Sequence, residues 1–71
     1  MPENFYVLLK LARVRADLTQ EELAARVGVT RKTINTIERG HFVPSTLLAL
    51  KLAKALGVKV EELFSLEPPT A

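Results

Sequence analysis

Two cations and two neutral polar side chains lie within six consecutive positions, at Arg31, Lys32, Asn35 and Thr36. Guanidinium and ammonium groups bind phosphate, and with amides and hydroxyls they hydrogen-bond base edges in a DNA groove. Arg31 and Lys32 stand at the start of a predicted helix, where positive charge opposes the helix macrodipole. Because a polyanion would offset that repulsion, the pattern predicts that Arg31 and Lys32 contact DNA. The alternative is a helix start that is merely solvated. Asn35 and Thr36 have the spacing to face the same ligand, with an ordinary helix surface as their alternative.

The first element that positions these residues is a predicted helix over residues 20–27. Thr19 and Glu22 have the spacing of a capping box, in which each side chain accepts a hydrogen bond from the other residue's backbone N–H. Apolar residues follow with helical spacing, and Gly28 can take the left-handed conformation that ends a helix. Thr30 is a good N-cap for a second helix, so only a tight turn separates the two.

That second helix is predicted over residues 31–39, and Gly40 ends it. Ile34 and Ile37 share one of its faces, whereas polar side chains occupy the others. Such a helix is too polar to lie in the centre of a core and too short to persist without packing. One apolar side should therefore pack on the domain while the remaining sides face outward.

The rest of the chain predicts three more helices, over about residues 4–16, 46–56 and 60–64, and no segment shows the alternation of a strand. The predicted fold class is therefore all-α, a compact five-helix bundle. The 71 residues have a hydrophobic content of 48%, which is enough for one core. We expect a single domain over residues 1–66 and a flexible tail over residues 67–71.

Charge is distributed unevenly along the chain. Residues 10–54 carry nine basic and four acidic side chains, whereas the two ends together carry one basic and four acidic ones. A polyanionic partner would favour the central segment. Because the whole chain has a net charge of only +2, an ordinary solvated surface is the alternative.

Several classes of function find no support in the composition. The chain has no cysteine and a single histidine, His41, so we expect neither a metal site nor a cofactor. It offers no nucleophile with a base and no glycine-rich phosphate loop, which argues against an enzyme or a small-molecule site. The apolar run over residues 5–9 stops at Lys10, too short for a signal peptide or a membrane span. We expect a protein of the reducing cytoplasm.

Several short motifs of this chain have the residue types and spacings of one known family. They are Leu18-Thr19-Gln20-Glu21-Glu22-Leu23-Ala24, Gly28-Val29-Thr30-Arg31, Ile37-Glu38-Arg39-Gly40, Pro44-Ser45, Leu52-Ala53-Lys54-Ala55-Leu56-Gly57-Val58 and Glu61-Glu62-Leu63-Phe64. With them, residues 9–66 resemble the Cro and phage-repressor type of helix-turn-helix domain, the XRE family. The resemblance implies a five-helix bundle whose second and third helices bind DNA. Lys59 stands where many relatives have a capping Ser or Asp, which predicts an irregular last helix.

The resemblance also implies roles for individual residues. It implies that Gln20 binds a DNA phosphate and that Arg13 and Glu38 form a structural ion pair. It assigns base contacts to Arg31, Lys32 and Thr36, with Asn35 at the margin. A further phosphate contact is predicted for Thr33, whose alternative is a hydroxyl that only satisfies the first turn of its helix. Phosphate contacts are also predicted for Arg39, His41 and Lys51, with a solvated rim as the alternative.

Together these patterns predict a sequence-specific regulator of transcription, a repressor that binds double-stranded DNA. One short helix covers only a few base pairs, so we expect a homodimer on a pseudo-palindromic operator with half-sites about 10 bp apart, or a multiple of that. Three apolar surfaces compete as the dimer interface, and we favour the last: Val7 with Leu11 and Val14, the helix over 46–56, and residues 58–66. The alternative is an antitoxin or protein-interaction adaptor whose acidic, apolar C-terminal end binds a partner protein.

Overall fold

The computed structural model describes residues 5–69, which form four α-helices, one turn of 3-10 helix and a two-stranded sheet. The α-helices are α1 Leu9–Arg15, α2 Gln20–Val27, α3 Arg31–Glu38 and α4 Thr46–Leu56. The 3-10 turn follows α4, at Val60–Glu62. None of the helices within residues 5–69 is long and apolar enough to cross a membrane.

The predictions of five helices and of no strand are both wrong. Strands β1 (Tyr6–Val7) and β2 (Phe64–Ser65) pair antiparallel, with Tyr6 opposite Ser65 and Val7 opposite Phe64. The class nevertheless remains helical, since this small ribbon only joins the two ends of the domain.

The predicted helix over residues 4–16 begins at Leu9, and Asn4 lies outside the described residues. Phe5 stacks on Phe64 with ring centroids 5.9 Å apart, and the Leu8 N–H donates to the Leu63 carbonyl over 2.8 Å. Aromatic and β-branched residues favour this extended pairing, which overrides the helical spacing of the same segment.

The predicted helix over residues 60–64 is a 3-10 turn that ends before β2 begins. The Lys59 side chain cannot accept a hydrogen bond, so only one half of a capping box forms: the Glu62 carboxylate accepts from the Lys59 N–H over 2.6 Å. The Leu63 N–H donates to the Val60 carbonyl over 2.9 Å, the short-range bond of a 3-10 turn. The expected irregularity is therefore present, and Phe64 pairs with β1.

One core lies between the helices. Its buried members come from every helix and from the segment after α4, and six of them are fully enclosed: Leu9, Leu23, Ile34, Ile37, Leu52 and Leu63. Contacts between α2 and α3 are the most extensive, and α4 covers α2. The core thus fixes the orientation of α3.

Candidate nucleic-acid interface

The turn between α2 and α3 has the local geometry that the sequence predicts. The Glu22 N–H donates to the Thr19 hydroxyl over 3.0 Å, and the Thr19 N–H donates to the Glu22 carboxylate over 2.8 Å. The bond from the Thr19 N–H lowers the pKa of Glu22, because the charged carboxylate is the better acceptor. Gly28 ends α2 at φ +76°, and Thr30 caps α3 through a bond from the Thr33 N–H over 3.2 Å. Hydrogen bonds therefore define the starts of α2 and α3, and Gly28 ends α2 at the turn.

The outward face of α3 is opposite its two buried isoleucines. Ile34 and Ile37 are fully enclosed, whereas Arg31 and Lys32 are exposed and Asn35 and Thr36 are half-buried. Within residues 5–69, the side chains of Arg31 and Lys32 have neither a hydrogen-bond nor an ion-pair partner. Two cationic heads are therefore available to a ligand at the start of α3.

A polar cluster joins the other edge of α3 to α1 and α2. Arg13 donates to both carboxylate oxygens of Glu38, from Nε over 2.6 Å and from a terminal nitrogen over 3.3 Å. Its other terminal nitrogen donates to the Leu18 carbonyl over 2.8 Å. The side chains of Glu38 and Arg13 are only 3% and 11% exposed, respectively. The pair is thus bidentate and largely desolvated, a geometry that makes loss of either partner costly.

Gln20 belongs to the same cluster. Its amide nitrogen donates to the Glu38 carboxylate over 2.9 Å and to the Asn35 side-chain carbonyl over 3.3 Å. Both amide hydrogens are thereby used within the protein, so the side chain holds α2 against α3. The phosphate contact predicted for Gln20 therefore requires an exchange of one of these bonds, or a role for the backbone N–H groups at the start of α2.

The two hydroxyls on α3 bond within the helix. The Thr36 hydroxyl donates to the Lys32 carbonyl over 2.8 Å, and the hydroxyls of Thr33 and Thr30 share a hydrogen bond of 3.1 Å. Each hydroxyl oxygen retains acceptor capacity. Their side chains are therefore held in fixed positions beside the exposed Lys32.

The remaining residues predicted to contact phosphate lie outside α3. Arg39 and His41 are exposed just after it. Lys51 is also exposed and lines a groove with Arg26 and Lys54, beside Gly28. Their phosphate contacts stay predictions.

Phe42 is a further candidate, for which the sequence pattern predicts no role. It is 43% exposed and lines a shallow groove with Lys32, Thr33 and Thr36. The sequence offers one signal for this position: an aromatic residue two positions after Gly40, the glycine that ends the predicted helix of residues 31–39. Spacing alone does not place that ring beside α3.

Comparison with known proteins agrees with this geometry. A family model described as helix-turn-helix matches residues 9–63, most of the chain. The chain therefore belongs to the helix-turn-helix family, in its Cro and phage-repressor (XRE) group of DNA-binding transcription regulators.

Similar proteins occur among both curated sequences and solved structures. The chain is 51% identical over 59 residues to the HTH-type transcriptional regulator YgzD of Bacillus subtilis, covering 83% of this chain and 89% of that protein. It is 43% identical over 53 residues to the cryptic phage CTXphi transcriptional repressor RstR of Vibrio cholerae, covering 75% of this chain and 48% of that one. The crystal structure of the restriction-modification controller protein C.AhdI from Aeromonas hydrophila matches with a TM-score of 0.72 and 37% identity, over 76% of this chain and 82% of that chain.

Proposed function

We propose that the protein is a sequence-specific repressor that binds a pseudo-palindromic operator in double-stranded DNA as a homodimer, with α3 in the major groove. The observation that carries this proposal is the outward face of α3. Arg31 and Lys32 are exposed there without a partner within residues 5–69, on a helix whose opposite side is fully enclosed. A rigid helix with free donors is suited to contact base edges.

The residue types indicate which bases are favoured. Arginine and lysine donate to O6 and N7 of guanine, whereas asparagine pairs with adenine. We therefore expect guanine opposite Arg31 and Lys32. The amide nitrogen of Asn35 has no hydrogen-bond partner among residues 5–69, and Thr36 retains acceptor capacity, so both can bond to a neighbouring base. The backbone N–H groups at the starts of α2 and α3, with Arg39 and His41, would bind phosphates on either side.

A dimer follows from the small size of the reading surface. An eight-residue helix covers only a few base pairs, and two copies on the same face of DNA require reading helices about 34 Å apart. Each α3 would then lie about 17 Å from the two-fold axis. That distance fits within a domain whose dimensions are 29 × 23 × 18 Å.

The exposed apolar residues favour α4 as the interface with the second copy. Leu47 and Leu50 are 63% and 54% exposed and lie one helical turn apart. Leu50 also borders an apolar groove of about 330 Å³ formed with Val43, Phe5 and Phe64. The segment over residues 58–66, which the sequence analysis favoured, turns Leu63 into the core. Leu66 is its most exposed apolar residue, and its Val60 and Phe64 line the same groove as Leu50. We therefore favour α4 together with this groove.

A repressor acts here by occupying the operator and excluding other proteins from it. The name of the related RstR, a transcriptional repressor, supports this sign of regulation. A promoter reporter in which the selected operator overlaps the start site tests it: we expect expression to fall when the protein is supplied. A rise in expression would identify an activator instead.

Selection of bound sequences from a random duplex pool tests the DNA-binding proposal directly. We expect an inverted repeat rich in guanine, and affinity that falls about a hundredfold between 50 and 200 mM salt for roughly four phosphate contacts. Binding to a partner protein with little salt dependence, and no selected sequence, would favour the adaptor hypothesis instead.

The oligomeric state has its own test. Light scattering of the wild type should give the mass of a dimer, and Leu47→Glu should give that of a monomer because it puts a charge in an apolar interface. Val14→Glu is a matched control, since Val14 is 57% exposed on α1. A monomeric Val14→Glu with a dimeric Leu47→Glu would move the interface to α1.

A further inference from the structure

Phe42 owes its position to the way α3 ends. Gly40 has φ +75°, its N–H donates to the Ile37 carbonyl over 2.9 Å, and the His41 N–H donates to the Thr36 carbonyl over 3.1 Å. This pair of bonds is the Schellman motif, which fixes the direction in which the chain leaves a helix. Phe42 follows immediately, so its backbone is anchored beside the last turn of α3.

The ring of Phe42 forms one wall of the shallow groove on α3. The groove encloses about 190 Å³, and its other walls are Lys32, Thr33 and Thr36. The hydroxyls of Thr33 and Thr36 bond within α3. The surface of this groove is mostly apolar, although Phe42 is its one apolar residue.

Phe42 does not belong to the apolar surface proposed for the dimer. The next residue, Val43, lines the separate groove with Pro44 and Leu50, and Phe42 does not line it. Two adjacent apolar residues, each nearly half exposed, thus border different grooves. Dimerisation through α4 therefore leaves the exposure of Phe42 unexplained.

We propose that Phe42, with the walls of Thr33 and Thr36, binds the C5-methyl group of a thymine in the major groove, next to the base that Lys32 contacts. This inference rests on the proposed function, since it requires α3 in the major groove. Thymine is the base that presents a methyl group there, and aromatic and threonine side chains are suited to contact it. Phe42 thereby becomes a specificity-determining residue for thymine.

Removal of single methyl groups from DNA tests this proposal. Each thymine of the selected operator is replaced in turn by deoxyuridine, which keeps the base pair and removes only the methyl group. Binding of each duplex is measured with the wild type, with Phe42→Ala and with Phe42→Leu. At one thymine per half-site we expect the wild type to lose about fourfold in affinity per contact, as the burial of one methyl group supplies. Phe42→Ala should be insensitive to the same replacement, and Phe42→Leu should retain part of the effect.

The outcomes separate this inference from the function on which it rests. Equal sensitivity of wild type and Phe42→Ala at every thymine overturns the inference, as does a loss for Phe42→Ala that is the same on every sequence, which would indicate a sugar or phosphate contact. Failure of the wild type to select any sequence overturns the proposed function as well. Because Phe42 is 43% exposed, we expect all variants to fold, and thermal unfolding of each one checks this.

Discussion

Helix α3 has two polar regions in contrasting environments. On the edge toward α1 and α2, Glu38 and Asn35 accept hydrogen bonds from Arg13 and Gln20. On the outward face, Arg31 and Lys32 are exposed, without partners among residues 5–69. Polar residues of one short helix thus differ by environment, since buried groups need partners within the protein whereas exposed groups can bind a ligand. Substitutions on the two sides should therefore affect different measurements.

The largest expected effect is on folding and comes from the buried edge. Glu38→Ala should lower the free energy of unfolding by about 3–5 kcal/mol, because it leaves the Arg13 guanidinium nearly buried without its carboxylate. Urea unfolding followed by circular dichroism measures the loss, with the exposed Glu21→Ala as control. Should Glu38→Ala not fold, Arg13→Met combined with Glu38→Leu should restore folding, since an apolar pair removes the unpaired charge. A loss below about 1 kcal/mol would mean that the edge does not stabilise the fold.

A somewhat smaller effect, on binding alone, is expected from the outward face. Arg31→Ala should cost about 1–3 kcal/mol of binding free energy and relax the preference at one base pair. Its free energy of unfolding should stay the same or rise slightly, because a cation is removed from a helix start. Titration of the selected operator and of its single-base variants measures this. Lys59→Ala removes the same charge from outside α2 and α3, and an equal loss for both variants on every sequence would argue against base contact.

Gln20→Ala should affect both measurements weakly. Loss of two hydrogen bonds between helices should lower the free energy of unfolding by about 1 kcal/mol or slightly more. Gln20 positions α3 and is expected to lie near a DNA phosphate rather than a base. DNA binding should therefore weaken by the same factor on all sequences. A loss of affinity confined to operators changed at one base pair would instead indicate that Gln20 contacts a base.

The smallest expected effect is a pH dependence at the capping box. The folded-state pKa of Glu22 is lowered by its hydrogen bonds to Thr19, so this stabilisation is fully present above the ordinary carboxyl value of 4.5 and is lost as pH falls through the lowered folded value. Thermal unfolding of the wild type and of Glu22→Gln between pH 7 and pH 3 should converge at the acid end. Glu21→Gln, outside the capping box, is the control; a gap between wild type and Glu22→Gln that is constant with pH would contradict the assignment.

The sequence predicts the bounds of α2, α3 and α4 closely, because the ends of these helices depend on neighbouring residues. The predicted helices over residues 20–27 and 46–56 match α2 and α4, and α3 ends one residue before its predicted end. Capping by Thr19, Thr30 and Ser45 involves bonds that span three residues. Such contacts are visible in a short window of sequence.

Elements that depend on distant partners were not predictable in the same way. β1 and β2 are 57 or more residues apart in the chain, and each has only two residues, too few for a pattern of alternation. The positions of Gln20 and Phe42 likewise depend on neighbours from other segments: Gln20 bonds residues of α3, and Phe42 borders a groove on α3. Type and spacing marked Gln20 as polar at a helix start but did not show that its amide was already bonded.

The sequence by itself determined where the three helices from residue 20 to residue 56 begin and end, and that one side of α3 is apolar while the others carry cations, an amide and hydroxyls. These properties follow from short-range hydrogen bonding and helical periodicity. Only the tertiary structure decided which polar groups of α3 and its neighbours are bonded within the protein and which face solvent. That decision depends on burial, because a polar group removed from water must find a partner in whichever segment the core brings beside it.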